Sequence, residues 1–399
     1  MNPVAKSMAA EMKIEEYAVL FTPCQVGHKL APNRLAAQPM EANDGTRAGG
    51  VSELTLRRYI NLARGPWGIV FVEAVSITEA SLGHKNGLVL NRGTLDDFKR
   101  LVDAFKTIHP HGLLMIQLTH SGILSGSFSR VTSVCPLERD DVHYLSTDEI
   151  EGIRQAFVEG ALMAEEAGAD GIDFKLGHGY LGTEMLRPAN TREDRWGGDF
   201  ENRTRFLRES IQELKSRLQT RDFILGSRVS LYEGIRGGCG TAGPDEIVED
   251  LAEMKQLVLM MDTLGMDYIN VTAGLPAVTT EMSIPAPSAR LFFLDQFRYA
   301  KTVKDMQTSL KVIGSAYSIL KQHGPAYAAE NIRKGYVDFA GFGRQTFADP
   351  DYPRKLKAAE KINYCTACSG CGKLIDTQMH AGCIIYNDYY RDLYRRLQT

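Results

Sequence analysis

Apolar positions along the chain follow two alternating rhythms. Short continuous apolar runs give way to longer stretches with helical spacing, and the pair repeats. The runs Leu35–Ala37, Gly68–Val72, Gly112–Ile116, Gly171–Lys175, Phe223–Ser230, Met266–Val271, Lys311–Ile313 and Tyr336–Ala340 read as strands. Val51–Ala63, Leu95–Phe105, Ser146–Ala167, Phe200–Arg217, Pro244–Leu264, Arg290–Met306, Ser318–Arg333 and Tyr352–Glu360 read as helices. Ser146, Thr147 and Asp148 supply capping chemistry for the third helix, and Asp245-Glu246 put acid in the first turn of the fifth. Strands that are apolar throughout fit a parallel sheet covered on both faces. Eight strand–helix units in succession predict a (β/α)8 barrel, with a doubly wound sheet as the alternative.

Around this pattern lie three segments. Residues 1–17 read as a leader, 18–360 as the barrel, and 361–399 as a cysteine-bearing tail ending in a charged, Tyr-rich helix. Polar and Gly-rich residues cluster just after strands, at the face where barrels of this kind place their chemistry. The loops Ser121–Val142 and Ala273–Pro287 are expected to shape a substrate pocket there.

Composition narrows the function classes. Lys and Arg number 46 and Asp and Glu 49, a net charge of -3 that argues against a general nucleic-acid binder. No apolar run reaches the ~20 residues of a membrane helix, and the N-terminus has no signal-peptide core. Seven cysteines, four of them close together, fit a reducing compartment and a metal site better than a disulfide framework, so a cytoplasmic protein is expected.

Four groups of residues carry chemistry. Gly314-Ser315 follow the seventh strand and Gly343-Arg344 the eighth, where turn N–H groups and an Arg suit a phosphate; the plain alternative is tight turns. Gln117 and Arg228 end strands and would reach the barrel mouth, one to pair with a planar heterocycle, the other to stabilise negative charge on it. Lys175, His178 and Tyr180 fall within six positions after one strand, a place for proton transfer and for holding a carbonyl or carboxylate. Cys365, Cys368, Cys371 and Cys383 form a compact thiolate set for Zn or an iron–sulfur cluster, and the two-residue gaps favour [4Fe–4S]. Cys24, Cys135 and Cys239 stand apart and read as ordinary thiols.

His178-Gly-Tyr-Leu181, Arg192-x-Asp194-x-x-Gly197-Gly198 and Glu201-Asn-Arg203-x-Arg-Phe206 resemble the signature of the Old Yellow Enzyme family of FMN-dependent oxidoreductases. Leu20-Phe-Thr-Pro23, Asn33-Arg34, Gln117-Leu118, Gly341-Phe-Gly-Arg344 and Asp349-Pro350 match in the same order, over roughly residues 18 to 385. The cysteine tail resembles the iron–sulfur branch, which includes 2,4-dienoyl-CoA reductase and trimethylamine dehydrogenase. The resemblance implies FMN and one [4Fe–4S] cluster, with the backbone around Pro39, Met40 and Ala74 edging the flavin. It further implies Gln117 at the flavin pyrimidine, Arg228 near N1/O2, and Gly314, Ser315, Gly343 and Arg344 at the phosphate. Tyr180 matches the family's proton donor, which implies hydride transfer from FMN N5 to an activated C=C. Lys175 stands where the family often has His or Tyr, and its charge beside His178 favours an anionic or carbonyl substrate. Glu41 occupies the place of the cysteine that attaches FMN covalently in the amine dehydrogenases, so non-covalent FMN is expected.

No G-x-G-x-x-G follows a strand after the cysteine segment. Electrons are therefore expected from a separate electron-transfer protein or subunit through the cluster, or directly from NAD(P)H. A homo-oligomer is compatible with this reading. Two rivals stand beside ene reduction of a small molecule: C–N oxidation of an amine, with electrons leaving through the cluster, and a non-catalytic zinc or electron-carrying subunit.

Overall fold

The computed structural model describes residues 15–135, 140–276, 278–283 and 292–398. Residues 1–14 of the expected leader, and parts of both expected pocket loops, lie outside them. The chain after the leader opens with a hairpin, β1 (Cys24–Val26) and β2 (Lys29–Ala31), in antiparallel register. Eight parallel strands follow: β3 (Leu35–Ala37), β4 (Ile69–Ser76), β5 (Leu113–Thr119), β8 (Gly171–Leu176), β9 (Ile224–Ser230), β10 (Tyr268–Thr272), β11 (Lys311–Gly314) and β12 (Phe339–Phe342). They pair in chain order, and β12 returns to β3 to close the barrel, with Ala340 opposite Leu35 and Phe342 opposite Ala37. Each expected strand is present, and the barrel prevails over the doubly wound alternative. The intervening β6 (Thr132–Ser133) and β7 (His143–Tyr144) form a small separate sheet in the loop after β5.

Two packed regions hold the barrel. Inside its lower end, Cys24, Val26 and Ala31 of the hairpin meet Phe71, Met115, Ile224, Tyr268, Ile313 and Phe339, so the hairpin stoppers the face opposite the strand ends. Outside, the strands pack on helices. Phe174 of β8 stacks on Phe157 at 4.5 Å between ring centroids and meets Phe206 edge-on at 5.9 Å. Phe157 and Phe206 lie on the helices Thr147–Glu166 and Phe200–Arg217, so one ring ties the two helices flanking β8 to that strand. The Thr147 helix starts with the expected capping box, Ser146 with Glu149.

Two expected helices differ. The span expected to begin at Pro244 becomes helical only at Ala252. Residues before it are committed elsewhere: Thr241 bridges Glu249, Gly237 N–H donates to Glu246 O, and Asp250 N–H donates to Gly240 O. The Ser318–Arg333 span breaks in two. Tyr317–His323 is a 3-10 turn in which Lys321 takes a φ of 51°, and the α-helix Gly324–Arg333 starts afresh with Pro325 in its first turn, where a missing N–H costs nothing. The tail forms the helices Gly370–Asp376 and Asp388–Arg396 around a core of Leu374, Ala381 and Tyr390. No helix among the described residues is long and apolar enough to cross a membrane.

Replacing Phe174 by Ala empties the junction of three elements. It is expected to cost about 3–5 kcal/mol and to lower the urea midpoint with little change in slope. A loss below 1 kcal/mol would mean that the two helices close over the gap.

Candidate active site and cysteine centre

The ends of the eight strands gather most of the expected site residues on one rim. Gln38, at the end of β3, is buried and reaches three neighbours. Its Nε2 donates to Asn270 Oδ1 of β10 at 2.8 Å and to Ser315 Oγ at 3.2 Å, and its Oε1 accepts from Asn270 Nδ2 and from Arg228 Nη1. Gly341 passes so close that a Cβ there would lie 2.1 Å from Gln38 Nε2. The same Cβ would lie 2.7 Å from the Gly314 carbonyl, so only glycine lets β12 pass this close to the Gln38 amide and β11. Ser315 Oγ also donates to Val271 O at 3.1 Å.

Arg228 is buried on β9. Burial pulls its guanidinium down to about 10, with Asp173 opposing. Its Nη2 donates to Thr272 Oγ1 at 3.4 Å, whereas Nε has no partner among the described residues. An orphaned buried N–H costs roughly 1–3 kcal/mol, and an acceptor on a bound planar ring would satisfy it. Gln117 of β5 donates to Asp173 Oδ2 on β8, and Tyr268 OH donates to Asp173 Oδ1 at 3.1 Å. Pro39 and Met40 follow Gln38 and are half-buried. Ala74 sits where the β4–β5 ladder slips register between Val72 and Val75. A bulge of this kind re-aims backbone at a rim.

The proton-active group lies after β8. Tyr180 OH donates to both oxygens of the Glu41 carboxylate, at 2.7 and 2.9 Å. Lys175 Nζ rests 3.2 Å from the centre of the Tyr180 ring and 3.8 Å from Glu41 Oε1. His84 Nε2 stands 3.8 Å from Glu41 Oε2 on the other side. Burial would raise the Glu41 carboxyl, but Lys175, His84 and the Tyr180 hydroxyl more than offset it and hold it well below the usual carboxylate range. Burial pulls the Lys175 ammonium down to about 8 against the pull of Glu41. Burial and the Glu41 charge drive the Tyr180 phenol well above its ordinary value, so it remains protonated. His178 adopts a φ of 64°, and the following Gly179 one of 79°. This left-handed step ends the strand and turns His178 Nε2 to Thr272 Oγ1 at 3.0 Å, with its backbone N–H on Ser230 Oγ. Burial, Arg228 and Lys175 push the imidazole well below its usual value, so it stays neutral and offers one donor and one acceptor.

The four tail cysteines line one cavity with Arg344, Phe347, Ile384 and Ile385. Left-handed backbone at Ala367 and Ser369 curls the loop, and its three cysteines line the cavity that Cys383 also lines. Among the described residues no three such groups stand close enough to grip a single metal ion. Ala367 N–H donates to Cys365 Sγ at 3.4 Å, and backbone N–H groups of Ile385 and Tyr386 reach Cys383. Such N–H···S bonds tune iron–sulfur centres. Burial raises the Cys371 thiol to about 11, while Arg344 opposes the rise. The structure thus places Arg344 beside the cysteines. A second cavity, of about 150 Å³, is lined by Gln38 and Met40 on one side and by Cys383 and Tyr390 on the other. The remaining thiols, Cys24, Cys135 and Cys239, are buried in apolar or hydrogen-bonded surroundings.

A model of the NADH:flavin oxidoreductase / NADH oxidase family matches residues 19–363. The chain belongs to that family. Its members are flavin-dependent oxidoreductases, and the barrel described here is theirs. The NADH oxidase of Thermoanaerobacter brockii is 28% identical over 368 residues, 88% of this chain and 53% of the relative. Dimethylamine dehydrogenase of Hyphomicrobium sp. is 28% identical over 89% of this chain and 48% of its own length. The chain spans about half the length of these two relatives. A 2-naphthoyl-CoA reductase structure superposes with a TM-score of 0.83 at 21% identity, covering 95% of this chain and 58% of the other. That likeness concerns the fold.

Gln38, Asp173, Asn270, Thr272 and His84 complete the rim without having been singled out in the sequence, and Glu41, marked there only as standing in the place of a flavin-linking cysteine, joins them through Tyr180. Asp173 carried a signal, as an acid within an apolar run, though Asp267 and Asp338 share it, and Gln38 and Glu41 flank the Pro39-Met40 strand end. His84 lies in a polar loop with no distinguishing pattern.

Burial raises the Asp173 carboxyl from 3.8 to about 6, with Gln117 and Arg228 opposing. The folded chain keeps a proton there that the unfolded chain releases, so this group's contribution to stability falls as pH rises from 3.8 to about 6. Asp173→Asn in flavin-free protein is expected to raise the unfolding free energy from urea titration by about 1–3 kcal/mol at pH 8, and not at pH 4. An equal gain at both values would exclude ionisation of Asp173 as the cause.

Proposed function

We propose that the chain is an FMN- and [4Fe–4S]-dependent oxidoreductase that reduces an activated C=C bond of the enone or enoate type. The observation that carries this is the rim group after β8: a protonated Tyr180 held by Glu41, next to a neutral His178. A phenol kept in its acid form is suited to protonate carbon, and a neutral imidazole to hold and polarise a carbonyl.

Non-covalent FMN fits the residues present. Gln117 and Arg228 would hold its ring, with the orphaned Arg228 Nε as a waiting donor, Pro39, Met40 and Ala74 would edge it, and Gly314, Ser315 and Gly343 would meet its phosphate. Bound there, FMN supplies the hydride. Cys365, Cys368, Cys371 and Cys383 would hold the cluster, which supplies one-electron transfer. That Met40 and Cys383 line one cavity supports electron passage between the two proposed sites. NAD(P)H or a separate redox protein or domain is the proposed electron donor, and Cys368, the one exposed thiol of the set, marks the side nearest solvent.

The chain's own steps are as follows. His178 and, through its charge, Lys175 orient the activating group, and Tyr180 delivers a proton to the α-carbon. Lys175 also sits against Glu41 and the Tyr180 ring, so its charge is shared between the protein and the activating group. Glu41 also supports a second reading. A carboxylate on the rim could pair with a cationic amine, as an amine-oxidising member of the family would require.

Anaerobically purified protein is expected to carry one FMN, released by acid, and about four iron and four sulfide. Cys365→Ser should lose iron and keep flavin. Tyr180→Phe is expected to slow reoxidation of the reduced enzyme by an enone by about 10²-fold or more, with flavin reduction little changed. Reduction by secondary amines, with enones inert, would select the amine reading instead.

A further inference from the structure

Tyr180 gives both hydrogen-bond contacts of its hydroxyl to Glu41. A phenol locked to a carboxylate is a poor acid by itself, and the tyrosinate left after proton donation would face the Glu41 charge. The same contact is a route for replacing the proton. Beyond Glu41 stands His84, 3.8 Å from its second oxygen, a gap that one small side-chain shift or one water spans. The His84 and Glu41 side chains are 20% and 28% exposed, so solvent reaches both members of the row. Its outer end is fixed by the cysteine segment: Gln378 Nε2 lies 3.4 Å from His84 Nδ1, and Gln378 Oε1 accepts from Lys85 N at 2.9 Å. Asn43 Nδ2 on Met379 O and Ala381 N–H on Ala42 O clamp the same segment beside Glu41.

We propose that Glu41 and His84 form a proton relay that reloads Tyr180 from solvent, with Gln378 of the cysteine segment positioning its outer member. This rests on the reading of Tyr180 as proton donor. As the phenolic O–H breaks and a C–H bond forms on the substrate, the His84 imidazolium gives its proton to the Glu41 carboxylate, which hands it on to the phenolate oxygen and returns to its ionised form. Solvent then reprotonates His84, so one proton enters per proton delivered and no redox change occurs in the relay. Glu41 raises the His84 imidazolium above its ordinary range against the effect of burial. Glu73 adds to that rise and Lys175 opposes it; together with Tyr180 these are the charged or titratable groups that act most strongly on the pair among the described residues. Glu41 and His84 act through Tyr180 and are positioning and relay residues.

The test uses the reduced holoenzyme with 2-cyclohexenone, comparing wild type, Glu41→Gln, Glu41→Asp, His84→Gln and Tyr180→Phe. Wild-type turnover should fall on the alkaline side as His84 loses its proton and should give a bowed proton inventory in mixed H₂O and D₂O. Glu41→Gln and His84→Gln should slow turnover at least tenfold, abolish that alkaline limb and make the inventory linear. Glu41→Asp should restore part of each. Independently of turnover, the His84 ring resonances in the oxidised holoenzyme should titrate at lower pH in Glu41→Gln, and shift in Gln378→Ala. An unchanged pH profile and His84 titration in Glu41→Gln, with Tyr180→Phe still slow, would overturn the relay. A Tyr180→Phe enzyme as fast as wild type would instead overturn the assignment of Tyr180.

Discussion

The return of β12 to β3 closes a ring between segments some three hundred residues apart in sequence, and the rest of the molecule depends on it. Parallel strands need buried faces and long crossovers. Closing them leaves no edge to protect and brings all eight strand ends to one rim. Gln38, Lys175, Arg228, Asn270 and Ser315 come from five different strands or strand ends, yet a few hydrogen bonds link most of them. The amide of Gln38 at the middle tolerates neither a different strand register nor a side chain at residue 341. The site's geometry and the fold's closure are one constraint.

Much of the fold was legible because a buried parallel strand leaves a continuous apolar run, and a helix on its surface leaves a period near 3.6. Leu35–Ala37 and Phe200–Arg217 coincide with the observed elements. The misjudged helix start at Pro244 has a local cause. Acidic residues after a Pro look like a first turn, but the backbone there is used by bonds to Gly237 and Gly240, whose positions follow from tertiary structure. The left-handed Lys321 that divides the Ser318–Arg333 span has no signature in its side chain.

For the site, residue types could be matched to chemistry but not to one another. Tyr180, His178 and Lys175 lie near each other in sequence, so their grouping could be read directly. Their most consequential partner, Glu41, lies 139 positions from Tyr180 and meets it only through the closed barrel. That partner changes the electrostatics: Lys175, read from the sequence as an open cation for an anionic substrate, has its charge met by a carboxylate. The cysteine segment was legible from spacing alone, since a short loop with two-residue gaps can hardly avoid bringing its thiols together. Its seating against residues 42 and 43 and beside His84 was not, because those contacts are mostly backbone and amide bonds.

The uneven burial of the seven cysteines has an experimental consequence. Cys135 and Cys239 are sealed under the loop after β8, with thiols directed to the carbonyls of Glu184 and Thr183, and Cys24 lies in the hairpin stopper. Burial drives the thiols of Cys135 and Cys239 far from the thiolate form that alkylating reagents attack. A maleimide count on the native protein therefore reads chiefly Cys368, the exposed thiol of the tail, against a background of buried ones.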